Sequence, residues 1–125
     1  MLICVVLAAL SLTGCQALLE PRSTMSVDDV LDAFEPQPGL GVTDPRDVTA
    51  VACSEENPCS EAIRADEIAI FRFDDRQDAA RFAASLGDNG YQSDWIVLEY
   101  PRAKYDTDKT RLSYAGIVDG MWTSD

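Results

Sequence analysis

Residues 2–12, LICVVLAALSL, form one uncharged, mostly apolar run, and after it the hydrophobic positions fall into shorter rhythms. Val27, Val30, Leu31 and Phe34 follow the i, i+3, i+4, i+7 spacing of a helix face. Ser26 before them supplies an N-cap, and Asp28 and Asp29 add a favourable dipole interaction in the first turn. EPQPGLG, from Glu35, then stops the helix. DPRDVTAVAC turns and runs apolar through Val48, Ala50, Val51 and Ala52, predicting a strand, and SEAIRAD predicts a single helical turn. EIAIFRF, Glu67 to Phe73, reads as a buried strand, because its β-rich residues are apolar on both faces apart from Arg72.

DDRQDAARFAASLG carries the clearest helical stripe, at Ala79, Phe82, Ala83 and Leu86. Asp74 or Asp75 starts this helix and Gly87 ends it. YQSDWIVLEYP resumes as one strand, with Trp95, Val97 and Glu99 alternating against Ile96, Leu98 and Tyr100. Strand, helix and strand in succession predict a βαβ unit whose strands are parallel neighbours or are split by another strand. Tyr114, Ile117, Val118 and Met121 favour a C-terminal helix despite Gly116 and Gly120. The expected fold is therefore a small α/β (α+β) domain: a sheet of three or four strands with helices on one face, with the ferredoxin-like arrangement as one candidate.

Charge removes several functions. The chain of 125 residues has 22 acidic against 10 basic side chains, a net charge of −12, and no acidic residue precedes Glu20. Such a surface repels phosphate backbones, so a nucleic-acid partner is not expected. There is no histidine. Ser-His-Asp and Cys-His catalysis, imidazole metal ligation and a histidine base are thereby excluded. Of the basic residues eight are Arg and two are Lys, the usage of a GC-rich genome.

The apolar run is eleven residues long, the length of a signal-peptide core and short of a bilayer span. Extended to Leu19 it would reach only about 27 Å as a helix, and it would include Ser11, Thr13, Gly14 and Gln16. At its end Leu12, Thr13, Gly14 and Cys15 resemble the lipobox of bacterial lipoprotein signal peptides: a branched apolar residue, two small ones, then cysteine. The resemblance covers about the first 15 residues and is silent on the domain that follows. It implies that the Cys15 sulfur receives diacylglycerol, and that Leu12, Thr13 and Gly14 guide a peptidase that cuts before Cys15. No Lys or Arg precedes the apolar run, which departs from the usual pattern. Two acyl chains suffice for stable anchoring. The implied organisation is a signal peptide over 1–14, a lipidated cysteine and tether over 15–25, and a domain over 26–125. The implied place is the extracytoplasmic face of a cell membrane, with the bilayer as partner and room for an envelope protein as a second one. Gln16 permits outer-membrane transfer in a Gram-negative host, whereas an actinobacterium would keep the protein on its plasma membrane.

Cys4 lies inside the apolar run, which leaves Cys53 and Cys59 as an even pair, CSEENPC. Outside the cytoplasm that pair is expected to form a structural disulfide. A redox role lacks the C-x-x-C spacing and a nearby cation to lower a thiol pKa. No metal or other cofactor is expected beyond the acyl group on Cys15. Asp74, Asp75 and Asp78, like Asp106 and Asp108, lack the glycine turn and distal Glu of a calcium loop and read as helix caps. Arg102, Lys104 and Lys109 form the one basic stretch, read as a solvated loop. No catalytic residue is singled out. The expected function is a non-catalytic accessory or binding domain; the alternative is a small envelope enzyme, a carboxylate-dependent hydrolase or a thiol-disulfide protein.

Overall fold

The computed structural model describes residues 24–101 and 108–123. Helix α1 (Val27–Phe34) opens the domain with a reciprocal cap: Asp29 N–H donates to Ser26 Oγ, and Ser26 N–H donates to the Asp29 carboxylate. The chain then forms a short strand β1 (Arg46–Asp47), a one-turn helix α2 (Thr49–Ala52) and a hairpin of β2 (Cys59–Arg64) and β3 (Ala69–Phe73). Helix α3 (Arg76–Leu86), strands β4 (Gly90–Ser93) and β5 (Ile96–Glu99), and helix α4 (Asp108–Thr123) complete it. Asp75 caps α3 by accepting from Gln77 N–H at 2.7 Å, and Gly87 ends it at φ +59°.

The five strands lie in the order β1-β2-β3-β5-β4, every neighbouring pair antiparallel. Alternation along each strand makes two opposite faces. Ile63, Ile70 and Leu98 stand in one cross-strand row on the first face, with α1 and α4 over them. Ala62, Phe71 and Val97 form the matching row on the second face, beneath α2 and α3. Arg64, Ala69 and Glu99 are also in register there. The methyl of Ala69 leaves room for Arg64 and Glu99 to meet across it at 2.9 Å.

The mixed α+β character is as expected, but the layering differs. Five strands replace three or four, and helices cover both faces instead of one. The apolar stretch VTAVA is a helical turn, not a strand, because Asp47 accepts from Thr49 N–H at 2.9 Å and starts α2. Hydrogen bonding from the Thr49 side chain, and then from its backbone N–H, lowers the Asp47 pKa. SEAIR is strand β2, not a helical turn, since pairing with β3 satisfies its backbone. YQSDWIVLE is a hairpin rather than one strand: Asp94, at φ +49°, turns β4 back onto β5. Insertion of β5 between β3 and β4 leaves one split crossover, β3-α3-β4. A ferredoxin-like sheet needs two.

Candidate functional site

One cleft of the domain is built where three distant segments converge. After α1, Gly39 adopts φ +83°, a left-handed conformation that favours glycine, and Leu40 returns into the core. The β2–β3 turn is pinned by Ala65 N–H on Ile68 C=O at 2.8 Å, with both of those side chains buried and Asp66 and Glu67 turned outward. From this turn Glu67 reaches across to Thr43. Its carboxylate accepts from Thr43 N–H at 2.8 Å and from Thr43 Oγ1–H at 2.7 Å, while Asp66 N–H donates to Thr43 C=O at 3.0 Å. Glu67 fills the space beside Gly41, where a Cβ would stand 2.0 Å from Oε2. The third wall is α4, whose Tyr114 hydroxyl donates to Gly41 C=O at 2.6 Å and whose ring meets Phe34 edge-on at 4.9 Å.

The resulting cleft has a volume of about 480 Å³ and is lined by glycines, threonines, Asp66, Glu67 and Tyr114. Glu67 acts here as a clamp on the 41–43 segment, since both of its oxygens are engaged by Thr43. Arg46 lies 3.8 Å from Asp66, with both side chains more than half exposed. A second cleft of about 550 Å³ continues on the other side of Gly39, over Leu40, Leu112, Gly116 and Ile117. Among the described residues, no group of three or more Cys, Asp or Glu side chains is placed to hold a metal ion.

Comparison with protein families, characterised proteins and solved structures finds no match to this chain. The site is therefore read from its own residues. Cys53 and Cys59 are joined by a disulfide, with Cα atoms 5.0 Å apart, on the second face of the sheet and away from the cleft. Leu12, Thr13, Gly14 and Cys15 lie outside the described residues, as do Arg102, Lys104 and Asp106. Among the described residues, no helix is long and apolar enough to cross a membrane. Asp74 pairs with Arg72 and Asp78 with Arg81, so the DDRQD cluster spends its charges on local partners and on the α3 cap.

Gly41, Thr43, Glu67 and Tyr114 escape sequence reasoning. Glu67 opens an apolar stretch and reads as the first residue of a strand, and nothing local links it to Thr43, 24 positions earlier. A separate polar cluster joins β4 to α4. Ser93 Oγ–H donates to Asp119 at 2.6 Å, and the Tyr91 hydroxyl donates to the other oxygen of the same carboxylate. That hydrogen bond, with burial and the nearby negative charge adding to it, pushes the Tyr91 pKa up to about 12.

Proposed function

We propose that this chain is a bacterial lipoprotein: a small non-catalytic binding domain held at the extracytoplasmic face of a membrane by acyl chains on Cys15. The observation that carries the reading is Leu12-Thr13-Gly14-Cys15 at the end of an uncharged apolar run, with the acidic chain beginning only at Glu20. The disulfide between Cys53 and Cys59 supports it, because such bridges persist in oxidising compartments and are rare in the cytosol. The binding role rests on the cleft, which has the size of small-ligand sites. Its best-placed carboxylate, Glu67, is committed to Thr43 and serves to hold the wall.

The test is mass spectrometry on the membrane fraction of a bacterium expressing the full chain or its Cys15→Ala variant. An N-terminal peptide beginning at diacylated Cys15 is expected from the wild type, with loss of membrane association in the variant. A wild-type peptide that begins at Met1 with an unmodified Cys15 would refute the assignment.

A further inference from the structure

We propose that the Asp44–Pro45 peptide bond is a self-cleavage site, at which the Asp44 carboxylate severs its own main chain in mild acid. The inference goes beyond the binding-domain reading and depends on neither the ligand of the cleft nor the anchor.

A mismatch between two neighbouring segments sets the site. Thr43 C=O accepts from Asp66 N–H at 3.0 Å, and Arg46 stands opposite Arg64 in the β1–β2 ladder. Between these two pairings one side has Asp44 and Pro45, whereas the other has only Ala65. The longer side must bulge. Asp44 makes the bulge at φ +52°, a left-handed conformation that favours glycine. The proline that follows adds to the strain, because its ring confines the residue before it to extended backbone. Neither end of the bulge can give way. Glu67 holds Thr43 by its N–H at 2.8 Å and by its hydroxyl at 2.7 Å, and beyond β1 Val48 N–H donates to Ala62 C=O at 2.9 Å. Strain is therefore stored across the bond between Asp44 and Pro45.

The chemistry that releases it lies in the same two residues. The Asp44 side chain is 71% exposed and 3.8 Å from Arg46, a solvent-screened contact that leaves it free to turn. One carboxylate oxygen attacks the main-chain carbonyl carbon of Asp44 and closes a cyclic anhydride. As that C–O bond forms, the C–N bond to Pro45 breaks, and the proline nitrogen takes a proton from solvent and leaves as a secondary amine. Water then opens the anhydride, so the net reaction is hydrolysis, with Asp44 as a new C-terminus and Pro45 as a new N-terminus. When the carbonyl carbon becomes tetrahedral, the Pro45 ring moves away from the Asp44 N–H and Cβ. The strain is thus relieved in the transition state, which is the condition for it to raise the rate. Asp94 provides an internal control: its φ is +49°, but Trp95 follows it, so both the ring clash and the tertiary amide are lacking. After the cut, the piece that carries α1 has no covalent link to the sheet, since both cysteines of the disulfide follow Asp44. Burial of Val27, Val30, Leu31 and Phe34 then holds it.

The test incubates the detergent-solubilised full chain at the lowest pH at which near-ultraviolet circular dichroism still reports the native fold. Mass spectrometry follows the appearance of a fragment that begins at Pro45. An acetylated, amidated peptide of residues 40–49, at the same pH, supplies the rate of the same bond without the fold. The folded chain should be cut at Asp44–Pro45 about tenfold faster than the peptide, and should not be cut after Asp94. Pro45→Ala should slow the cut at least tenfold. Asp44→Gly removes the nucleophile and suits the left-handed position, so it should give no fragment and should raise the urea midpoint of unfolding. A folded chain that stays intact, that is cut no faster than the peptide, or that is cut equally fast as Pro45→Ala would overturn the inference. The binding-domain reading stands under each of these results.

Discussion

The two faces of the sheet are covered by the same kind of element but held by different means. On the first face, α1 and α4 bury large side chains, Phe34, Tyr114 and Val118 among them. Helix α4 is also tied along its length: Arg111 donates to Asp88 C=O at 2.6 Å, Tyr114 to Gly41 C=O, and Asp119 accepts from β4. On the second face the cover is thin. Among the described residues only Ala79 of α3 is fully buried, and none of α2 is. Helix α3 approaches closely because Gly90 has no side chain; a Cβ there would lie 2.8 Å from the Leu86 Cβ. A four-residue helix cannot hold itself by propensity, and the disulfide from Cys53 to Cys59 fixes its end to β2. The comparison teaches that one face is secured by buried volume and the other by a covalent clamp.

The largest expected effect tests the first half of that statement. Phe34 is fully buried against Tyr114, so Phe34→Ala should cost about 3–5 kcal/mol. Phe82, on α3, meets Phe71 edge-on at 4.7 Å but is only partly buried, and Phe82→Ala should cost less than half as much. Urea denaturation of both variants, with the disulfide intact, decides the matter. Equal losses would erase the distinction between the faces.

Reduction of the disulfide addresses the second half. A bridge between residues six apart in sequence closes a small loop, worth about 2 kcal/mol. The loss should be local. Hydrogen exchange after reduction should show amides of α2 and the start of β2 losing protection, while those of α4 keep theirs. Loss of protection in α4 equal to that in α2 would mean that the clamp supports the whole domain.

The same asymmetry separates what the sequence made legible from what it did not. Helices α1 and α3 follow from periodicity and caps, and α4 from periodicity alone, because each sets its core-facing side chains in consecutive turns. Helix α2 does not. Its valines favour strand, yet Val51 ends 88% exposed, and the turn is bracketed by the Asp47–Thr49 hydrogen bond at its start and the disulfide at its end. The β4–β5 hairpin was hidden because its turn uses Asp94 at positive φ in place of glycine, within an otherwise continuous alternation. With that hairpin unseen, and SEAIR read as a helical turn in place of β2, the expected strand number falls short. The cysteine pairing was legible by elimination, whereas the cleft was not, since Tyr114 meets a carbonyl 73 positions away. A site assembled from single long-range hydrogen bonds leaves no local pattern to read.

The smallest effect examines the ties that supplement packing on the first face. Tyr91 has its pKa raised to about 12 in the fold, chiefly by donating to Asp119, against about 10 in an unfolded chain. A group whose pKa is raised on folding contributes stability that is fully present below its unfolded pKa and is lost as pH rises through the folded one. The domain should therefore lose stability between about pH 10 and 12, as the phenol gives up the proton it shares with the carboxylate. Asp119→Asn should cost about 1 kcal/mol near neutral pH, because Ser93 and Tyr91 keep only a weaker, uncharged acceptor. It should also return the Tyr91 titration towards the ordinary range, read from phenolate absorbance as the difference from a Tyr91→Phe background. If Tyr91 still titrates near pH 12 in that variant, burial alone raises its pKa, and the tie between β4 and α4 contributes nothing to holding the first face.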